Sequence, residues 1–398
     1  MPSLAHVRRP IAVVAGVAAL AALTFTVAPN ALAVPPPVNV STAGAVYNNI
    51  PSPTAGNYPS EAFEAQSVAE FGGIVHLTAA ATNPVVTVLM SSWGCQAGHW
   101  TSGDCSTVPG STFSEPITLN VYHATANGAD RSTPGGLILT KTSTFNIPFR
   151  PSADNVHCTA TSGPLGSSQV GEWYSAADNK CFNGYATPIS FHLTGTIPQN
   201  AIISLAYNTS DYGAQPYGRP TACSVTPQGC GYDSLNVATS SGPTVGSDPS
   251  PNDAYLNSSW NGGYCNNSLP ASNAFVRDDG CWGPYQPAIK IQVPTATVLQ
   301  AQASIIQALP GSILTLKLAA RLITTAGVPV SGEPITFRAG PNLSLICTGI
   351  TNSNGVAGCT GLLKGVLASV FSLGYDAAFA GDGVLGASHV HGPLVKIG

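Results

Sequence analysis

The sequence has few charged residues and, after its first segment, no long apolar run. Of its 398 residues, 14 are lysine or arginine and 18 are aspartate or glutamate, so the formal net charge at pH 7 is -4. Because there is no basic stripe to neutralise phosphates, nucleic acid is excluded as an expected partner. No second apolar run is long enough to span a bilayer, so we expect no transmembrane segment in the mature chain.

Residues 1–33 have the pattern of a removable secretory signal peptide. Arg8 and Arg9 precede an apolar run, Ile11–Val27, and positions 31–33 read Ala-Leu-Ala, an A-x-A cleavage site. A membrane anchor is the alternative, but the run is short for a span. We therefore expect a secreted protein that is released or held non-covalently at the cell envelope. Removal of the two arginines changes its net charge from -4 to -6.

All ten cysteines follow this segment, and an even number in an exported chain predicts a disulfide framework. Sequence alone leaves the connectivity open, but the spacing favours five pairs of sequence neighbours. These are Cys95 with Cys105, Cys158 with Cys181, Cys223 with Cys230, Cys265 with Cys281, and Cys347 with Cys359.

The chain reads as all-β. Ile117, Leu119 and Val121 occupy alternate positions between more polar neighbours, and the segment 189–193 alternates in the same way. A period of two is typical of strands with one buried and one wetted face. No long amphipathic helix stands out. Residues 34–293 are therefore predicted to form a large, disulfide-stapled, jelly-roll-like β-sandwich.

Three long segments between the predicted strands, residues 91–114, 151–186 and 210–288, contain eight of the ten cysteines. Unstructured loops longer than about 15 residues are uncommon unless they are functional or tied down. We therefore expect the disulfides to hold these segments as surface loops.

Residues 294–398 are more regular and are predicted to form a smaller β-sandwich. Residues 327–329, Gly-Val-Pro, suit a turn, and Asn354-Gly355 is a hairpin pair that tolerates positive φ. Ile335 and Phe337 alternate as inward-facing core residues.

The segments "GVPVSGEPITF", "TNSNGVAGCTG" and "GYDAAFAGD" in this part resemble bacterial Ig-like domains of surface and secreted proteins. The resemblance covers about the last hundred residues and implies a spacer or adhesion module without catalytic residues. The chain has one copy instead of an array. The earlier part, with "SSWGCQAGHW" and "DDGCWGPYQPAIKIQ", resembles secreted actinobacterial proteins whose function is not established.

Candidate metal ligands are few. Cys95, His99 and Cys105 lack zinc-finger spacing. His389 and His391 lie two apart on a predicted strand, a geometry that can hold copper or zinc, but without a third ligand we expect them to face solvent. We predict no metal and no cofactor.

Oxygen donors that could bind calcium occur in two loops, although residues of this kind usually form turns. They are Asp248, Asn252, Asp253, Asp278 and Asp279.

Paired carboxylates would be needed for a glycoside hydrolase. Glu172 is the best candidate acid, with Asp178 or Asp233 as a partner, but nothing in the sequence sets their separation. No G-x-S-x-G elbow is present. A hydrolase is therefore our third choice, and we predict no catalytic residue.

Aromatic residues in the loops are the candidate ligand-binding groups. Rings beside Gly, Asn and Asp can stack on sugar faces while polar neighbours bind hydroxyl groups. The alternative is that each tryptophan packs on its neighbouring disulfide. The candidates are Trp93, Trp100, Trp173, Trp260 and Trp282.

We therefore predict a secreted, non-catalytic binding or structural protein of the extracellular space or cell envelope. The alternative is a carbohydrate-binding protein in polysaccharide metabolism. Its expected partners are cell-wall or extracellular glycans, or surface proteins.

Overall fold

The computed structural model describes residues 44–64, 66–98, 103–124, 134–159, 169–207, 235–240, 242–265, 274–283, 285–309, 313–339, 343–362, 374–393 and 396–397. These residues are mostly strands, and their one helical element is a short 3-10 turn at Asn261–Gly263. The all-β prediction is confirmed, whereas the jelly-roll and Ig-like topologies stay predictions. No helix within the described ranges is long and apolar enough to cross a membrane.

Seventeen strands precede residue 293. In chain order they are β1 (Ala45–Asn48), β2 (Ser60–Glu61), β3 (Val68–His76), β4 (Ala81–Thr82), β5 (Val85–Ser92), β6 (Thr112–His123), β7 (Leu137–Pro148), β8 (Trp173–Ser175), β9 (Lys180–Phe182), β10 (Tyr185–His192), β11 (Thr196–Ile197), β12 (Asn200–Ala206), β13 (Leu235–Ser240), β14 (Ala254–Ser258), β15 (Val276–Asp278), β16 (Gln286–Pro287) and β17 (Ile289–Gln292).

Two main sheets contain most of these strands. The first has the order β1-β17-β5-β13-β16, with β10 also paired to β5 and β2 to β13. The second has the order β15-β14-β3-β12-β6-β7. Two small ribbons, β4 with β11 and β8 with β9, complete this part. All of these pairings are antiparallel, as expected for a chain whose strands alternate in polarity.

One hydrophobic core is shared by the two sheets. It includes Val86 and Val88 from the first sheet and Phe71, Leu119 and Ile203 from the second. Strand β6 shows the predicted alternation, since every second residue from 113 to 121 is buried. Burial of large apolar side chains from both sheets is the main force that holds this part together.

Strand β5 is buried along its whole length, from Val85 to Ser92. Its core face packs into the shared core, while Leu89 on the opposite face packs against Ile50, Ala238 and Ala288. The chain around residue 50 therefore covers the back of the first sheet. A strand enclosed on both faces explains the continuous apolar run "VVTVLM".

Nine further strands follow residue 296. They are β18 (Thr297–Ala301), β19 (Ile305–Leu309), β20 (Ile313–Thr324), β21 (Pro334–Ala339), β22 (Ser344–Ile350), β23 (Val356–Leu362), β24 (Tyr375–Phe379), β25 (Ser388–Gly392) and β26 (Lys396–Ile397).

These nine strands form two sheets around a second core. One sheet has the order β18-β20-β19-β26 with β23 also on β20, and the other has the order β22-β21-β24-β25. Ile335 and Phe337 are buried, as predicted, and pack with Leu316, Leu322 and Tyr375. The Asn354-Gly355 pair forms the turn between β22 and β23, with Gly355 at a φ of 76°.

Backbone hydrogen bonds tie the start of this second part to its own later segment. The amide of Thr295 donates to the carbonyl of Val384 at 2.7 Å, and the amide of Gly386 donates to the carbonyl of Thr295 at 2.8 Å. In addition, Gln292 Nε2 donates to the carbonyl of Gly383 at 2.5 Å. The segment around residue 293, which was predicted to be a linker, is therefore held in place by hydrogen bonds to residues 383–386.

Four of the predicted disulfides are present: Cys95–Cys105, Cys158–Cys181, Cys265–Cys281 and Cys347–Cys359. Cys223 and Cys230 lie outside the described residues. Several disulfides in one chain are typical of a protein that folds outside the reducing cytoplasm.

The predicted loop 210–288 also contains strands. β13 and β14 are both internal strands of the main sheets, and β15 and β16 lie at sheet edges. The sequence reading missed them because they are short and are flanked by Gly, Ser and Asn. The strands β13 and β14 are buried on both faces, so their patterns do not alternate.

Replacement of both Cys95 and Cys105 by alanine should lower the free energy of unfolding. The bond joins residues 10 apart, and the entropic effect of such a loop is about 3 kcal/mol. Urea unfolding of the variant and the wild type measures it. The Cys347→Ala, Cys359→Ala variant, whose cysteines are 12 apart, should lose a similar amount. A loss below about 1 kcal/mol in both would contradict the stapling role.

Candidate functional site

Two of the five candidate tryptophans are buried, which corrects their assignment as ligand-binding groups. Trp173 is 1 % exposed and its Nε1 donates to the carbonyl of Gly184 at 2.7 Å. Trp282 is 7 % exposed, and its Nε1 donates to Asp278 Oδ2 at 2.7 Å. Both indole rings belong to packed interiors, because their large apolar surface is worth more inside than in water. Neither ring presents a face to a ligand.

The other three differ in exposure. Trp93 is half-buried, and its Nε1 donates to Ser91 Oγ at 3.0 Å. Trp260 is 50 % exposed and its ring lies over Gly262, where any side chain would collide with it. Trp100 and His99 lie outside the described residues. Trp260 is therefore the tryptophan with the most accessible ring in the described part of the chain.

Glu172 lies in a buried polar cluster. Asn183 Nδ2 donates to Glu172 Oε1 at 3.1 Å, and the fully buried Arg150 donates from Nη2 to the carbonyl of Gly171. Burial raises the pKa of Glu172, and the positive charge of Arg150 opposes that rise. Burial in turn lowers the pKa of Arg150 to about 10. Through these hydrogen bonds, Glu172 and Arg150 each connect two segments of the disulfide-linked loops.

The possible partners of Glu172 in catalysis have other environments. Asp178 Oδ2 accepts hydrogen bonds from Ser175 Oγ at 2.6 Å and from the amide of Gly56 at 2.8 Å, which closes a turn and anchors the neighbouring segment. Asp233 lies outside the described residues. Asp178 is thus held by a serine and a backbone amide, and Glu172 by an asparagine.

The two acidic loops meet in the fold. Asp278 pairs with Ala254 where β15 joins β14, and the amides of Gly280 and Trp282 both donate to the carbonyl of Asn252 at 3.0 Å. Asp253 Oδ2 forms an ion pair with Arg277 Nη2 at 2.6 Å. The sequence did not predict that these two loops are in contact, because they lie more than twenty residues apart in the chain.

Asp278 has its own internal partners. Its buried Oδ2 accepts from Trp282 Nε1 and, at 2.8 Å, from the amide of Cys265. No group of three or more His, Cys, Asp or Glu side chains in the described ranges is arranged around a metal position. The calcium alternative gains no support from these contacts.

Beside this junction is a cleft of about 570 Å³, which we call the Asp248 cleft. Its volume lies within the range of about 300 to 1,000 Å³ that is typical of small-molecule sites. The residues that line it are Gly242, Pro243, Gly246, Ser247, Asp248, Pro251, Asn252, Gly283 and Gln286.

The cleft contains one carboxylate. Burial and the nearby charge of Asp253 raise the pKa of Asp248, whereas the amide of Ser250, which donates to Asp248 Oδ1 at 2.8 Å, lowers it. Tyr47 is buried beside it, and the negative charge of Asp248 adds to the burial that raises the pKa of Tyr47. Asp248 therefore sits in a less polar environment than an ordinary surface aspartate.

Two amides complete the polar lining. Gln286 Nε2 donates to the carbonyl of Asp253 at 2.8 Å, which fixes the side chain between the two loops. Asn252 Oδ1 lies where a Cβ on Gly283 would collide with it. A side chain at position 283 would therefore displace the amide of Asn252 from the wall of the cleft. From the sequence, Asp248 and Asn252 were expected to be turn residues, with calcium binding as the alternative, whereas Gly283 and Gln286 were not predicted.

Glu61 is a buried acid at the edge of the shared core. The desolvation of its carboxyl, with a smaller contribution from the charge of Asp278, raises its pKa to about 8. Nearby, Phe63 stacks on Tyr207 with ring centroids 4.1 Å apart. The carboxyl is therefore protonated at neutral pH, which avoids burial of a charge.

Comparisons of this chain with protein-family models, with curated proteins and with solved structures find no match. The resemblance to Ig-like domains and to secreted actinobacterial proteins thus stays a prediction, and the function is argued from the residues alone.

Trp282→Ala and Trp260→Ala should have unequal effects on stability. Removal of the buried indole leaves a cavity and takes away one of the two hydrogen bonds to Asp278 Oδ2, at a cost of about 3 to 5 kcal/mol. Removal of the half-exposed indole should cost less than about 1 kcal/mol. Urea unfolding of both variants tests this pair, and equal losses would show that the two rings are packed alike.

Glu61→Gln should change how stability depends on pH. Between the ordinary pKa of 4.5 and the folded value of about 8, the folded chain holds a proton that the unfolded chain releases. The stability from this group is therefore complete below about pH 4.5 and is lost as the pH rises to about 8, by at most about 1.4 kcal/mol per pH unit. Glutamine removes this contribution.

The measurement is the free energy of unfolding of the wild type and of Glu61→Gln between about pH 5 and about pH 8. The difference between the two proteins should grow in favour of the variant as the pH rises. Parallel curves would show that Glu61 ionises normally in the folded protein.

Proposed function

We propose that this chain is a secreted, non-catalytic protein that binds a ligand outside the cell in the Asp248 cleft. The observation that carries the proposal is the cleft itself. It joins two loops that are anchored on the main sheets, it has the volume of a ligand site, and it combines a half-buried carboxylate with two amides. A pre-formed cavity with few fixed polar groups is the usual form of a small-molecule site.

A binding role fits the described carboxylates better than catalysis does. Glu172 accepts from Asn183 beside a buried arginine, Asp178 accepts from a serine and a backbone amide, and Asp278 accepts from Trp282 and a backbone amide. Each of these carboxylates is engaged in holding loops together. The chemistry of hydrolysis would instead need one acid and one base that face a common substrate.

Secretion is part of the proposal. The pattern of residues 1–33 is that of a signal peptide, and the disulfides are typical of an oxidising compartment. After export, the C-terminal part would act as an Ig-like spacer or adhesion module at the envelope, where glycans and surface proteins are available as partners.

Carbohydrate is the ligand class that we favour. Carboxylate and amide groups, such as those of Asp248, Asn252 and Gln286, bind the hydroxyl groups of sugars. The half-exposed ring of Tyr285, which is next to Gln286 in the chain, offers an aromatic face on which a sugar can stack. This would place the protein in polysaccharide metabolism as a binding component.

Ser247→Tyr tests the cleft by filling it. Ser247 is exposed, lines the cleft, and exchanges two backbone hydrogen bonds with His76 that the substitution preserves. Binding of the full chain to a glycan array and to soluble cell-wall oligosaccharides should be lost. Ser106→Tyr is the matched control, because Ser106 is also exposed and forms the same type of backbone bridge with Ala97.

Asp248→Asn adds a second measurement at the same site. It keeps the shape of the side chain and removes its charge, so glycan affinity should fall roughly tenfold or more. Glycan binding that Ser247→Tyr leaves unchanged would place the ligand elsewhere. If the wild type binds neither the glycan array nor the soluble cell-wall oligosaccharides, the carbohydrate assignment is wrong.

A further inference from the structure

The outer face of the β24–β25 pair brings two histidines and an aspartate together. His389 and His391 lie two apart on β25, so both side chains project from the same face. Asp376 on β24 is directly opposite His391 in the antiparallel register. The sequence showed the two histidines and offered no third ligand. The register supplies one from a segment thirteen residues earlier.

Two of the three side chains are in contact, and the third lies on the same face of the sheet. His391 Nδ1 lies 3.2 Å from Asp376 Oδ1, and these two side chains are 61 % and 36 % exposed. His389 is also exposed and lies opposite Ala378, whose small side chain leaves room beside it. Arg338, the cation across from Asp376 on β21, donates from Nη1 to the carbonyl of Leu343 at 3.2 Å and so points towards β22.

We propose that His389, His391 and Asp376 bind one divalent transition-metal ion, zinc or copper(II). Residues two apart on a strand are about 7 Å apart, and directly opposite residues are about 5 Å apart. Two imidazoles and a carboxylate at these separations can converge on one ion at bond lengths of about 2.0 to 2.2 Å. Nitrogen-rich donor sets of this kind select zinc or copper over calcium and magnesium. Water completes the coordination.

The metal would assemble this site from side chains that now have other contacts. The ring of His391 lies against Gly374. Among the described residues, no three His, Cys, Asp or Glu side chains are now placed to hold one metal ion. Exposed side chains change rotamer within nanoseconds, so both imidazoles can turn towards each other while the strands stay in place. Asp376 then exchanges its contact with the ring for a contact with the ion.

The experiment is a calorimetric titration of the metal-free full chain with Zn²⁺, repeated with Cu²⁺. We expect one saturable site in the wild type. His389→Ala, His391→Ala and Asp376→Asn should each weaken it at least tenfold. His157→Ala is the matched control, because His157 forms another exposed pair with Asp154, at 2.7 Å, and should leave the affinity unchanged.

Circular dichroism of each variant checks that the fold is kept, which is expected since all three side chains are exposed. Absence of saturable binding in the wild type overturns the proposal. Binding that survives in His389→Ala also overturns it, because the ion would then sit elsewhere. This result is independent of the glycan measurements on the Asp248 cleft.

Discussion

The enclosure of β5 is the constraint on which the first part of the protein depends. Val86, Val88 and Met90 reach the shared core, while Leu89 packs on the opposite face against the segment around Ile50. Because β5 pairs with β10 on one side and with β13 and β17 on the other, it fixes where those strands lie. The loops that flank β13 and β17 are the ones that form the Asp248 cleft, so the position of the cleft follows from the burial of one strand.

Polar groups inside this framework hold the loops together. Asp278 joins Trp282 to the amide of Cys265, and Asp253 holds Arg277. Each would be costly to bury without those partners, and each becomes a bridge between segments once it has them. Together with the disulfides, these bridges let long, glycine-rich segments keep one shape, which a binding cleft requires.

The two proposed sites rest on different kinds of support. The cleft is made of loops whose shape depends on side-chain bridges, such as the hydrogen bond from Gln286 to the carbonyl of Asp253. The metal site is made of neighbouring strands whose register is set by backbone hydrogen bonds, so its ligands need only change rotamer. A protein with both would bind a ligand through its first part and a metal through its second.

The sequence by itself determined the all-β class, the alternation in β6 and the four neighbour disulfides that the structure describes, because these depend on residues close together in the chain. It placed β13 and β14 in a loop, since strands buried on both faces do not alternate. Tertiary structure decided that Trp173 and Trp282 are buried, that the loops at residues 242–252 and 283–286 meet, and that Asp376 faces His391. Burial and long-range register depend on which distant segments pack together, and no local pattern records that.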